Sequence, residues 1–86
     1  MKEIEVGYVA NYFGNISVAA IVITSGSVSV GDTLHFVGHT TDFRSTVDSM
    51  QVEHDSVQEV GEGDNVGLKV PEKVRKTDRV FKVVEE

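Results

Sequence analysis

Cysteine is absent from this 86-residue sequence, and proline occurs once, at Pro71. Without cysteine the chain has neither disulfides nor thiolate metal ligands, which fits a reducing cytoplasm. The longest apolar run, Val18 to Ile23, is too short to cross a bilayer, so we expect no contact with a membrane. The residues after Met1 are charged and do not resemble a signal peptide. The length indicates a single domain over residues 1–86, which we expect to be cytoplasmic because it lacks cysteine.

Motifs for catalysis are also missing. No Gly-x-x-x-x-Gly-Lys-Ser/Thr loop is present, which excludes a GTPase of the known type and argues against a bound nucleotide. The serines lie in strand and turn contexts without a nucleophile-elbow pattern. We therefore expect no catalytic residues, no enzymatic activity and no cofactor.

Leucine is scarce, with two residues against 17 valines. Valine favours strands and is stiff in helices, and eight glycines supply tight turns. The pattern predicts an all-β domain that folds as a closed, six-stranded Greek-key barrel, because closure removes exposed edges. The six strands are predicted at Ile4–Phe13, Ile16–Thr24, Thr33–Val37, Phe43–Val52, Asn65–Val70 and Arg79–Val84, with Ser25–Ser27 as a turn and Glu53–Asp64 as a loop.

The alternation of residues predicts which side chains face the core. In the first strand Val6, Tyr8, Ala10 and Tyr12 share one face, and in the third Leu34 and Phe36 share the inner face. The second strand is apolar on both faces. Either a loop covers its outer face, which we favour, or it is an exposed strip that binds a partner or a second copy.

The net charge of -6 opposes nonspecific binding to nucleic acid, but the basic residues are unevenly distributed. Lysine and arginine are absent between Ser45 and Leu68. Six of the eight basic residues lie between Lys69 and Lys82. We expect Lys69 and Lys82 on adjoining strands, so that the basic residues form one patch able to contact RNA phosphates. The predicted phosphate contacts are Lys69, Lys73, Arg75, Lys76 and Arg79.

Histidine and acidic residues offer weaker signals for metal. His35 and His39 have a ligand-like spacing, but no second close pair reinforces it, so three solvent-facing histidines are favoured. The acidic residues from Asp48 to Asp64 lack the spacing of a calcium loop. We predict no metal site.

Two glycine-anchored segments carry a family resemblance. Gly14 to Gly26, followed by Gly31, and the run Gly63-Asp64-Asn65-Val66-Gly67 are similar in order and spacing to domain 2 of elongation factor Tu and related translational GTPases. The resemblance implies a β-barrel that contacts tRNA or ribosomal RNA. Asn65 matches an asparagine of the family's aminoacyl pocket, whereas Gln51 stands where the family has a glutamate.

Other differences argue against recognition of aminoacyl-tRNA. Ile16 replaces a family glycine, and Val22 replaces a basic residue. The middle of the chain, from Gly38 to Gln51, is similar to a subgroup that occurs as stand-alone translation-factor-like proteins and as C-terminal modules of collagenase-like peptidases.

Two functions follow from these observations. The first is a non-catalytic, translation-associated module that contacts ribosomal RNA, tRNA or a ribonucleoprotein through the basic patch. The alternative is a protein–protein interaction adaptor that docks through the apolar second strand, as an accessory to a peptidase-like enzyme.

Overall fold

The computed structural model describes residues 2–84, so Met1, Glu85 and Glu86 of the predicted domain lie outside the described residues. Every helix or strand in this range is a β-strand, which confirms the all-β prediction. There are ten strands rather than six: β1 (Lys2–Phe13), β2 (Val18–Ile23), β3 (Ser27–Ser29), β4 (Thr33–Val37), β5 (Asp42–Thr46), β6 (Met50–Val52), β7 (Asp55–Val57), β8 (Glu59–Gly61), β9 (Asn65–Lys69) and β10 (Arg79–Val84).

Eight of the strands form one antiparallel sheet in the order β5-β4-β10-β1-β2-β9-β6-β7, and β3 pairs with β8 in a separate ribbon. The chain crosses over to place β10 between β4 and β1, and β9 between β2 and β6, as a Greek-key arrangement requires. Among the described residues the pairings leave β5 and β7 at the two ends of the sheet. In the described part of the chain, β5 and β7 are therefore not hydrogen-bonded to each other, and the predicted closure of the barrel is not made by strand pairing.

The predicted fourth strand, Phe43–Val52, is divided into β5 and β6 because the chain turns out of the sheet at Val47. Its backbone N–H donates to the carbonyl of Asp32, its own carbonyl accepts from Gly31, and its side chain is buried. The chain then resumes as β6, which turns back into β7 through Glu53 and His54. The segment predicted as a loop over residues 53–64 therefore contains β7 and β8.

Two β-bulges correct the predicted face of the first strand. The register between β1 and its neighbours shifts between Glu5 and Gly7 and again between Val9 and Asn11. A bulge inserts one residue and moves the following side chains to the other face. Val6 and Val9 are therefore buried, whereas Tyr8 and Ala10, predicted on the face of Val6, are exposed.

The core lies between the faces of the curved sheet and is sealed at both ends. Leu34 and Phe36 are buried as predicted, and Phe36 stacks on Phe43 with 5.0 Å between ring centroids. The β3–β8 ribbon covers the end near Ile23, whose backbone bonds Gly63 and Asp64. At the other end, the segment 70–78 begins with a bond from Val70 to Ser17 and inserts the buried side chain of Val74.

Candidate functional site

An open groove runs over the outer face of β2 and β9, between two hairpins. It consists of two adjoining depressions of about 560 and 440 Å³, which share Ile16, Val18, Gln51 and Gly67. We call it the β2–β9 groove. A depression of this size on the outer face of the sheet is the feature of the described residues best suited to hold a ligand.

The floor of the β2–β9 groove is apolar and is formed by small residues. Val18 and Ala20 point outward because their neighbours Ala19 and Ile21 are buried in the core. Gly67 is paired with Ala20 on one side and with Gln51 on the other. A Cβ at Gly67 would lie 3.5 Å from Val18 Cγ1, so the missing side chain leaves space that an ordinary residue would fill.

The walls come from the two hairpins. The β1–β2 hairpin contributes Phe13 and Ile16, which are 46% and 57% exposed and are the two most exposed large apolar side chains among residues 2–84. The β6–β7 hairpin contributes Glu53 and His54. Both of these residues have positive φ angles, 51° and 69°, a conformation that glycine and asparagine adopt more easily.

Charges of opposite sign lie at the two ends. Lys69, beside Val18, lines one end, and Glu53 lines the other. Within residues 2–84, neither side chain takes part in an ion pair. The amides of Gln51 and Asn65 also line the groove, Asn65 at the Glu53 end, and neither makes a side-chain hydrogen bond to another described group. These four polar groups are available to a ligand.

The structure brings together the two positions predicted from the family pocket, since Gln51 and Asn65 both line the β2–β9 groove. It corrects the interpretation of the second strand. Val18 and Ala20 are half-buried on the floor of an open groove between two hairpins, an arrangement nearer to the apolar strip than to a strand covered by a loop.

Sequence reasoning missed Phe13, Glu53, His54 and Gly67 as groove residues. The only sequence signal was Ile16, an apolar residue at a turn position where the family has glycine. The β6–β7 hairpin carries no Asn-Gly or Asp-Gly pair, so nothing in the sequence indicated a turn there.

The expected adjacency of Lys69 and Lys82, on which the single basic patch depended, is wrong. Lys69 and Lys82 are not on adjoining strands, because β2 and β1 lie between β9 and β10. Lys82 instead turns to the β3 end, where its Nζ donates to Ser27 O and lies 3.3 Å from Asp32 Oδ2. Arg79 lies 3.9 Å from Glu5, a weak surface contact. Lys73, Arg75 and Lys76 lie exposed on the connection between β9 and β10.

A separate charged cluster joins β1, β4 and β5. His35 Nδ1 lies 2.9 Å from Glu3, its Nε2 lies 2.5 Å from Asp42, and Arg44 donates to Glu3 at 3.0 Å. The hydrogen bonds to Asp42 and Glu3 raise the pKa of His35, and the bond from His35 lowers the pKa of Glu3. Both ring nitrogens are occupied within the protein, so the cluster ties strands together.

The other two histidines, His39 and His54, are exposed. Over residues 2–84, no three His, Cys, Asp or Glu side chains are grouped as metal ligands. The same part of the chain has no helix long and apolar enough to span a membrane.

Comparisons with known proteins give two kinds of relative. A family model described as elongation factor Tu domain 2 matches residues 17–79. An uncharacterized protease of Methanocaldococcus jannaschii is 37% identical over 81 residues, which cover 93% of this chain and 20% of the protease. A collagenase of Porphyromonas gingivalis is 30% identical over 82 residues, which cover 94% of this chain and 20% of the collagenase.

Solved structures agree on the fold. The C-terminal domain of a Geobacillus thermoleovorans protein assigned to the U32 peptidases superposes with a TM-score of 0.86, covering 95% of this chain and 93% of that domain at 18% identity. A selenomethionine variant of that domain gives a TM-score of 0.83, at 16% identity and with 88% and 95% covered. At such identities the likeness speaks for the fold alone.

These findings correct the expected role in translation. Two relatives that align with nearly all of this chain are a protease and a collagenase, which contradicts the expected role in protein synthesis and gives no support to RNA binding. The chain spans about a fifth of the length of these relatives. The barrel resemblance is confirmed, and because the family model matches well over half of its residues, the chain belongs to the elongation factor Tu domain 2 family.

Proposed function

We propose that this domain is a non-catalytic protein-binding module that serves a peptidase-like enzyme. The observation that carries the proposal is the apolar wall of the β2–β9 groove, where Phe13 and Ile16 are about half exposed. Large apolar side chains gathered at one depression are typical of a surface that binds protein. The module would act as one part of a larger peptidase assembly, within one chain or between chains.

The relatives support this role. A protease and a collagenase align with this chain over only about a fifth of their own length, so most of each enzyme lies outside the matching region. The β2–β9 groove presents amide, carboxylate and ammonium groups over an apolar floor, a composition suited to contact with polypeptide. We therefore assign substrate or subunit contact to this domain and peptide cleavage to the remainder of the enzyme.

A segment exchange tests the proposal. The 82-residue matching segment of the Porphyromonas gingivalis collagenase is deleted, or replaced by this chain, and cleavage of gelatin is compared with cleavage of a short fluorogenic peptide. We expect deletion to lower kcat/KM for gelatin while the short peptide is still cleaved, and replacement by this chain to restore gelatin cleavage. The exchange carrying Ile16→Ser should restore less than the exchange carrying Ile4→Ser, which alters another exposed isoleucine outside the groove.

Two results would count against the proposal. The first is cleavage of peptide by the isolated chain itself, at a rate that follows the protein through purification. The second is an exchanged, folded enzyme that is indistinguishable from the deletion on gelatin.

A further inference from the structure

The β2–β9 groove has a length and a charge pattern that restrict what it can hold. The distance from Asn65 to Lys69 along β9 is four residue steps, which at about 3.4 Å each gives roughly 14 Å. Glu53 lies beyond Gln51 on the neighbouring hairpin, at the Asn65 end. The groove therefore matches about five residues of extended polypeptide, with a cationic end and an anionic end.

The middle of the groove is built for a close approach. Ala20 and Gly67 are paired with each other and carry the smallest side chains on the outer face. Phe13 and Ile16 rise on one side, so an apolar side chain placed over Gly67 would contact carbon on the floor and on this wall. Burial of that side chain favours binding in proportion to the apolar area removed from water.

The polar side chains around this floor suit a peptide backbone. Gln51 and Asn65 each offer an amide N–H donor and a carbonyl acceptor, the same pair of groups that an extended backbone presents. Lys69 and Glu53 have no ion-pair partner among residues 2–84, so both charges remain free to pair with charged side chains of a bound segment.

We propose that the β2–β9 groove binds an extended segment of a partner polypeptide, about five residues long. The segment places an apolar side chain over Gly67, an acidic side chain at the Lys69 end and a basic side chain at the Glu53 end. The inference rests on the proposed function, since it names the kind of chain that the module holds.

The test uses the full chain labelled with ¹⁵N and capped synthetic peptides followed by NMR. The probe is the peptide Asp-Thr-Val-Thr-Lys, together with its reverse, Lys-Thr-Val-Thr-Asp, because the direction of the bound chain is open. Alternate side chains of an extended peptide face the same side, so its acidic, apolar and basic residues all face the groove. We expect amide shifts at Val18, Gln51 and Gly67 with one of the two peptides.

Three changes identify the contacts. Replacing the central valine of the peptide by serine should weaken binding about fivefold, as lost apolar burial requires. Lys69→Glu should weaken binding several-fold, whereas Lys73→Glu, on the connection outside the groove, should leave it nearly unchanged. Lys69→Glu should also bind Lys-Thr-Val-Thr-Lys more tightly than the unchanged protein does, a reversal that a general loss of stability does not produce.

Gly67→Val gives an independent steric test. It fills the floor on a strand where β-branched residues are favoured, so the variant should melt near the unchanged protein and lose binding of the probe. The inference is overturned if neither peptide shifts groove amides, if Lys69→Glu and Lys73→Glu behave alike, or if the groove amides shift with protein concentration alone, as self-association through the groove would cause. If the peptide binds but the collagenase exchange fails, the proposed function is wrong; if the exchange succeeds and the peptides do not bind, only this inference is.

Discussion

Gly7→Ala tests the packing of β1 against β2. Gly7 is buried at the first bulge and is paired with Ile23 and Val80. A Cβ at this position would lie 2.0 Å from the carbonyl oxygen of Val22 and 3.2 Å from the Cα of Ile23. Its φ angle is outside the left-handed region, so alanine meets a steric obstacle and not a conformational one.

The cost follows from what must move. Real Cβ atoms do not approach other atoms closer than 3.0 Å, so β2 must be displaced by at least the difference from 2.0 Å. That shift strains the bond from Thr24 N to Val6 O, now 2.7 Å, and its neighbour from Ser25. Overpacking of about 1–3 kcal/mol plus one or two weakened hydrogen bonds of about 1 kcal/mol each gives roughly 2–5 kcal/mol.

Thermal and urea unfolding followed by circular dichroism measure this cost. A domain of this size has a free energy of unfolding of about 4–13 kcal/mol, and a loss of about 3 kcal/mol lowers Tm by roughly 12–24 °C. The urea midpoint should fall while the slope m stays constant, because the unfolded surface is unchanged.

Two other glycines provide matched controls. Gly31 has a φ angle of 98° and free space around it, so Gly31→Ala should cost about 1–2 kcal/mol through the backbone alone. Gly67 has neither restriction, so Gly67→Ala should leave Tm nearly unchanged. The proposed steric obstacle at Gly7 is refuted if Gly7→Ala melts within a few degrees of the unchanged protein, or if Gly31→Ala loses more free energy of unfolding than Gly7→Ala.

Three further predictions concern the core, the charged cluster and the groove. Phe36→Ala should cost about 3–5 kcal/mol because its ring is fully buried, whereas Phe13→Ala should change Tm little; equal losses in calorimetry would contradict the assigned burial. The pKa of His35 in the folded protein is above its ordinary 6.5, so its contribution to the free energy of unfolding is complete below pH 6.5 and is lost as the pH rises through the folded pKa. The Tm difference between His35→Gln and the unchanged protein should therefore be larger at pH 5.5 than at pH 9. A difference that is independent of pH would argue against this role of His35. Replacing Glu53 and His54 by Asn and Gly should raise the free energy of unfolding by about 1 kcal/mol, since both positions have positive φ. The same replacement should weaken binding of the probe peptide, and a lower Tm would contradict the turn geometry.

Alternation in the sequence was sufficient where strands are regular. β4 and β10 begin and end where predicted, and Leu34 and Phe36 are buried as expected. It failed in β1, because bulges depend on contacts with β2 and β10 that are distant in sequence. It failed again at Val47, where hydrogen bonds to the turn before β4 redirect the chain.

The candidate site was predictable only in part for the same reason. The family resemblance placed Gln51 and Asn65 in one pocket, whereas the double-sided apolar pattern of β2 left an exposed strip only as the alternative to a covering loop. The walls could not be inferred, because Phe13 and Glu53 are far apart in sequence and face the same groove only because β9 lies between β2 and β6. Charge clustering in sequence was misleading, since Lys69 and Arg79 end up on strands with two others between them.

The distribution of backbone strain gives the groove a meaning beyond its shape. Four described residues other than glycine have positive φ angles, and three of them, Ser17, Glu53 and His54, line the β2–β9 groove. Each costs free energy that glycine or asparagine at the same position would reduce. All three lie in the β1–β2 and β6–β7 hairpin turns, where positive φ is required, but the turns do not require serine, glutamate and histidine there in place of glycine or asparagine. That choice of residues coincides with the exposed apolar wall of the groove. It is expected of a surface whose side chains are positioned for a partner, because a binding site keeps residues that folding alone would replace.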